Sequence, residues 1–148
     1  WAGKRQPYLF KGGKRMINAI NIPQQTVLPN QNVLFAVNRI KTGCPIRHDA
    51  GSGLFNITKP GLYKVHFNAN VLATVANQDV QLAIEVDGEA IQAAKTHDTI
   101  TAVGSYRSVS VDIPVRVPCS CCLAISVGNL STLSATLENA NIIIERVG

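Results

Sequence analysis

The stretch from Phe55 to Leu72 organises the chain, and after its Pro60-Gly61 pair apolar and polar positions alternate without a break. After Pro60-Gly61, Tyr63, Val65, Phe67, Ala69 and Val71 fall on one side, and Leu62, Lys64, His66, Asn68 and Asn70 on the other. A period of two marks a long strand with one apolar face. The Pro-Gly pair makes a turn before it, because proline presets one φ and glycine permits the other.

Shorter stretches repeat the pattern. Val33 to Asn38 reads as a short strand, Ile46 to His48 as another, and Leu54 to Ile57 leads into the long one. Val80 to Val86 alternates up to Asp87-Gly88, a strong two-residue hairpin signal, and Ala90 to Ala94 returns antiparallel to it. Thr96 to Thr101 reads as a loop. Tyr106 to Ile113 alternates with Val109, Val111 and Ile113 on the apolar side. Cys121 to Val127 is a strand, Gly128-Asn129 a turn, Thr132 to Glu138 a short strand or loop, and Asn141 to Val147 the final strand. In residues 17–31, Pro23 and Pro29 exclude a helix and a central strand and predict an edge strand or extended linker. No stretch sustains helical spacing with caps. About eight or more strands at spacings of roughly 8–15 residues predict an all-β chain, an antiparallel sandwich or jelly roll.

The chain has 148 residues, enough for one domain with a real core, and is 46% hydrophobic and 16% charged. No run is apolar enough for a membrane helix. The polar, basic N-terminus lacks the basic-then-apolar order of a secretory signal, and the first residue is Trp1 rather than methionine, which leaves room for a start upstream. The charge of +5 is uneven. Lys4, Arg5, Lys11, Lys14 and Arg15 precede any acid, and the nine later basic residues balance the nine acids. Residues 1–15 therefore form a basic arm, hinged at Gly12-Gly13. Such an arm suits nucleic acid, an acidic protein surface or a headgroup layer. Trp1, Tyr8, Leu9 and Phe10 favour a docking peptide over a solubilising tail. The neutral body, with no second basic patch, disfavours nucleic acid.

Chemistry is sparse. Cys44, Cys119, Cys121 and Cys122 lack paired zinc spacing and read as small buried side chains, or as one bridge from Cys44 to Cys119 or Cys121. His48-Asp49 and His97-Asp98 each join a histidine to an acid. Neighbours on a strand face opposite ways, however, and both pairs read as solvated loop residues. Gly51-Ser52-Gly53 lacks the strand-turn-helix setting of a nucleophile elbow, and no glycine-rich piece carries the Lys-Ser/Thr of a phosphate loop. Asp49, Asp79, Asp87 and Asp98 are too scattered for a calcium loop. The expectation is no enzyme, no cofactor and no metal.

Phe55, a five-residue gap, then Gly61-x-Tyr63-x-Val65-x-Phe67 resembles the signature of the C1q and tumour-necrosis-factor-like jelly rolls. Phe55, Gly61, Tyr63 and Phe67 match its core, while Val65 stands where that signature has an aromatic. Gly43-Cys44, the His48-to-Gly53 segment, Val86-Asp-Gly-Glu89, Cys121-Cys122 and Asn139-to-Val147 resemble the C1q-like proteins of Gram-positive bacteria and their phages. The resemblance covers about residues 32–148, leaving 1–31 as basic arm and extended linker.

The resemblance implies a homotrimer with one sheet of each subunit around a three-fold axis. The outward faces of two strands, Lys64, His66, Asn68 and Asn70 with Tyr106, Ser108, Ser110 and Asp112, would then form the interface, and three copies of His66 could surround a metal or anion. It also implies a virion structural protein on the phage capsid, as decoration or head fibre, docked by its arm and exposing loops 73–79 and 96–104. Lack of a signal peptide suits assembly in a host cytoplasm. The alternatives are a lectin-like binding domain on a bacterial cell or spore surface, or a receptor-binding fibre tip meeting host glycan or protein.

Overall fold

A computed structural model describes residues 15–119 and 122–148. Eleven strands follow in order: β1 (Met16–Asn21), β2 (Gln25–Val27), β3 (Val37–Thr42), β4 (Ile46–Arg47), β5 (Phe55–Ile57), β6 (Gly61–Leu72), β7 (Gln78–Val86), β8 (Glu89–Ile100), β9 (Tyr106–Val117), β10 (Leu123–Asn129) and β11 (Ala135–Arg146). One sheet has the order β3-β1-β11-β6-β9, with β2 also on β11; the other has the order β4-β5-β10-β7-β8. Every pairing is antiparallel. No helix of the described residues is long and apolar enough to cross a membrane.

The core lies between the two sheets, and β6 is its central rib. Tyr63, Val65, Phe67, Ala69 and Val71 are all buried, as the alternation requires. Phe67 and Phe55 meet the ring of Phe35 edge-on, at centroid distances of 6.3 and 5.5 Å. Gly61 has φ +146, and a Cβ there would lie 2.7 Å from the Gly148 carbonyl oxygen and 2.8 Å from Arg146 Nε. Only glycine fits this turn. The same corner is tied by Leu62 N donating to Gly148 O and Arg146 Nη2 donating to Pro60 O. The Tyr63 hydroxyl donates to Lys59 O at 2.9 Å. Burial pushes the Tyr63 phenol above its ordinary value, against the pull of Arg146 and Arg15.

The Asp87-Gly88 hairpin joins β7 and β8 with φ values of 52° and 84°, the doubly positive pair that suits the twist of the strands. Several other expectations are corrected. Residues 17–31 divide: β1 is an inner strand between β3 and β11, while β2 pairs with β11 alone, as an edge strand does, so the sheet already takes in residues ahead of position 32. Pro23 and Pro29 fall outside β1 and β2 and interrupt neither ladder. The strand expected at Val33–Asn38 begins at Val37. Val33 and Phe35 are buried on an extended crossing held by Val33 N donating to Val127 O.

Thr96 to Ile100 is strand, because these residues pair with Gln78 to Leu82 of β7. β9 runs through Pro114, which an edge strand tolerates. Gly128 and Asn129 stay in β10. Any Cβ at Gly128 would collide with the Glu85 carboxylate, so this glycine marks a close approach and not a turn. The last two expected segments form one strand, β11, with a register shift between Glu138 and Asn141 and Asn139 at φ 53°. Cys44 and Cys119 are exposed and free, neither buried nor bridged, while Cys122 is disulfide-bonded.

Candidate assembly face

The first sheet turns one side to the core, and the registers fix what stands on the other. One row reads Ile40, Asn18, Ile143, His66 and Asp112 across β3, β1, β11, β6 and β9. The next reads Val37, Ile20, Asn141, Asn68 and Ser110, and Asn70 beside Ser108 continues it. On the other flank stand Thr42, Met16, Glu145, Lys64 and Pro114. The face is thus divided. Val37, Ile40, Met16, Ile20 and Ile143 put apolar side chains on its β3-β1-β11 half among Asn18, Asn141, Thr42 and Glu145, and its β6-β9 half is polar.

The polar groups are joined in a ladder that crosses the sheet. Arg39 Nη1 donates to Asn18 Oδ1 at 3.2 Å, and Asn18 Nδ2 donates to Asn141 Oδ1 at 2.6 Å and to Ile142 O at 2.9 Å. Asn141 Nδ2 donates to Asn68 Oδ1 at 2.8 Å, an oxygen that also lies 3.2 Å from His66 Nε2. His66 Nδ1 is 4.0 Å from Asp112 Oδ2, which Lys64 Nζ approaches to 3.5 Å. Separately, the Ser108 hydroxyl donates to Asn70 Oδ1 at 3.0 Å. Asn18 is buried and Asn141, Asn68, Asn70 and His66 are half-buried, so the amides are held in fixed orientations. No buried side-chain nitrogen or oxygen among the described residues lacks a partner.

The structure brings together Lys64, His66, Asn68, Asn70, Ser108 and Ser110 on this face, with Asp112. Tyr106 sits at its far corner beside Leu72, half exposed. Sequence reading missed Asn18, Asn141 and the apolar side chains beside them. Asn141 opens a run of three isoleucines and Asn18 lies in the segment read as linker, so only the register reveals them. Of the expected docking arm, Arg15 alone is described. It is exposed, and its carbonyl accepts from Arg146 N at 2.8 Å. Trp1, Lys4, Arg5, Tyr8, Leu9, Phe10, Lys11 and Lys14 lie outside the described residues.

The histidine-acid neighbours take other partners. His97 lies within β8, and its Nε2 is 2.6 Å from Asp79 Oδ1; Asp98 faces Arg107 Nε at 3.8 Å. His48 is buried, not solvated. Its ring stacks on Phe55 at 4.0 Å, and its nitrogens face Asn38 Oδ1 and the Ser52 carbonyl. Among the described residues no group of three or more His, Cys, Asp or Glu is placed to hold a metal ion.

No family model and no curated protein matches the chain. Solved structures do. The globular domain of zebrafish complement 1qA protein aligns over 89% of this chain and 94% of its own at 11% identity and a TM-score of 0.61. Murine APRIL at pH 5.0 aligns over 91% and 100% at 10% identity and 0.67. Eiger TNF from S. frugiperda aligns over 91% and 93% at 8% identity and 0.66. At such identities the likeness is one of fold: the chain is an antiparallel jelly-roll sandwich of the C1q and tumour-necrosis-factor kind.

Proposed function

We propose that this chain is a structural and interaction protein rather than an enzyme: a homotrimeric jelly roll displayed on a phage capsid, as a decoration or head-fibre protein, and docked by its N-terminal arm. The observation that carries this reading is the divided face of the β3-β1-β11-β6-β9 sheet. Apolar side chains left open beside a hydrogen-bonded ladder of amides make a surface that further copies of the chain can cover. Three copies are the number the jelly-roll resemblance implies.

The ends of the sandwich support display. Arg15 stands with Gly43, Pro60 and Gly148 at the start of β6. Loops 73–77 and 101–105 lie past the other end of β6 and hydrogen-bond to each other through Ala73, Asn77, Thr101, Gly104 and Ser105. They carry no charge, and they expose Val75 and Val103. An arm that grips the particle from one end presents these loops outward from the other. Virion surface is the location this reading assigns.

The test removes residues 1–14 and spares Arg15, whose carbonyl belongs to the fold. Loss of attachment to the particle with the native oligomer intact supports docking by the arm. Retained attachment overturns it.

A further inference from the structure

Away from the assembly face, the edge of the second sheet carries a cleft of about 350 Å³ lined by Arg47, His48, Asp49, Ser52, Leu54 and Asn56. Its wall is a loop without regular structure, yet it is pinned at nearly every residue. His48 stacks on Phe55, and its ring nitrogens lie 2.5 Å from Asn38 Oδ1 and 2.7 Å from Ser52 O. Asn38 Nδ2 donates to His48 O, Ser52 N to Asp49 O, Gly51 N to Phe35 O, and Leu54 N to the Ser52 hydroxyl. A cleft so braced is formed before any ligand arrives, which lowers the ordering cost of binding.

The groups that line it have capacity left. Arg47 and Asn56 are direct cross-strand partners of β4 and β5, and with Ile46 and Ile57 buried they stand side by side on the outer surface. Among the described residues neither Arg47 nor Asp49 makes an ion pair, and the Asn56 amide makes no side-chain hydrogen bond. A guanidinium fork beside an amide suits a carboxylate; a carboxylate nearby accepts from vicinal hydroxyls; Leu54, 45% exposed, offers an apolar wall to ring C–H groups. The volume is at the low end of ligand pockets, roughly 300–1,000 Å³, so it takes one ring and not an extended chain.

We infer that this cleft binds a sugar carboxylate of the hexuronate class, with Arg47 and Asn56 on the carboxylate, Asp49 on ring hydroxyls and Leu54 against the ring. The cleft is built within one subunit, so the site stands or falls independently of the oligomeric state.

The test is a titration of the full chain with sodium glucuronate, followed by calorimetry and by amide shifts of residues 47–56. Glucose and acetate, each carrying half of the recognised chemistry, are the controls. Glucuronate is expected to bind with a Kd on the order of 1 mM, and each control about tenfold more weakly. Arg47→Ala is expected to weaken glucuronate at least about tenfold, and Asp49→Asn to weaken it less, with melting temperature unchanged because both side chains are exposed. A methyl glucuronoside that binds as well as the free acid makes the ligand a polysaccharide end. Binding of the free acid alone makes it a soluble sugar acid. Acetate or glucose binding as well as glucuronate, no shift on titration, or an Arg47→Ala protein that binds like the parent overturns the assignment.

Discussion

Replacing Ile143 by lysine separates the fold of one subunit from the association of several. Ile143 stands on the outward side of β11 between Asn18 and His66, near the middle of the divided face. It is half-buried in the single subunit. A lysine there keeps its stem on the sheet and its ammonium in water, so the isolated fold gives up about 1 kcal/mol or less. A neighbour sealed over the face changes the account. The new cation would then sit near Arg39, His66 and Lys64; Asp112 is already engaged by Lys64 at 3.5 Å, and Glu145, two residues along the same face, has Lys64 as its cross-strand neighbour. An uncompensated buried charge costs about 3–5 kcal/mol, and a closed ring of three repeats the cost at three interfaces, roughly 9–15 kcal/mol in all. Joining three subunits at micromolar strength releases about 16 kcal/mol, two steps of about 8, so the substitution cancels most of it and leaves single subunits at micromolar concentration. Sedimentation velocity at micromolar concentration reads the association, and circular dichroism reads the fold. The expected variant is a single subunit with an unchanged β spectrum. A variant that sediments like the parent would refute the placement of this face at an interface.

Other substitutions probe the fold. Gly61→Ala meets the Gly148 carbonyl and Arg146 at a φ of +146, so it should cost about 2–4 kcal/mol in urea unfolding; an unchanged midpoint would contradict the turn. His48→Ala removes the Phe55 stack and both oxygen partners from a buried site, and is expected to lower stability by about 2–4 kcal/mol. Glu85, packed over Gly128, is held above its ordinary carboxyl value of 4.5 by burial, against the pull of Ser126. The folded state therefore holds this proton more tightly than the unfolded one, and its contribution is lost as pH rises from 4.5 upward. Glu85→Gln should raise the melting temperature at pH 7 and lose that gain below about pH 4. A gain that is the same at both values would contradict the burial of the carboxyl.

The sandwich was legible where alternation had one face to satisfy. β6 and the Asp87-Gly88 hairpin were, because the core residues of β6 and the positive φ values of the turn leave a local trace. What the sequence hides is long-range. β1 is an inner strand only because β11 and β3 flank it, and Pro23 and Pro29 suggested otherwise without entering any ladder. Thr96 to Ile100 looked like loop because threonine is polar; pairing with β7 decides the matter. Gly128 read as a turn, yet it is small so that Glu85 can lie over it. The polar half of the candidate face was visible in Lys64, His66, Asn68 and Asn70. Its continuation through Asn141 to Asn18 spans more than a hundred residues and depends on register. Neither the cleft nor the partners of His48 left a motif, since Asn38, Ser52 and Phe55 meet only after the crossing from β3 to β5.

Native mass decides the central claim most directly. The subunit is 15.9 kDa, and a ring of three has a mass of about 48 kDa. Light scattering or native mass spectrometry at micromolar concentration should find that species alone. A dominant species of 15.9 kDa would leave the divided face uncovered and contradict the account.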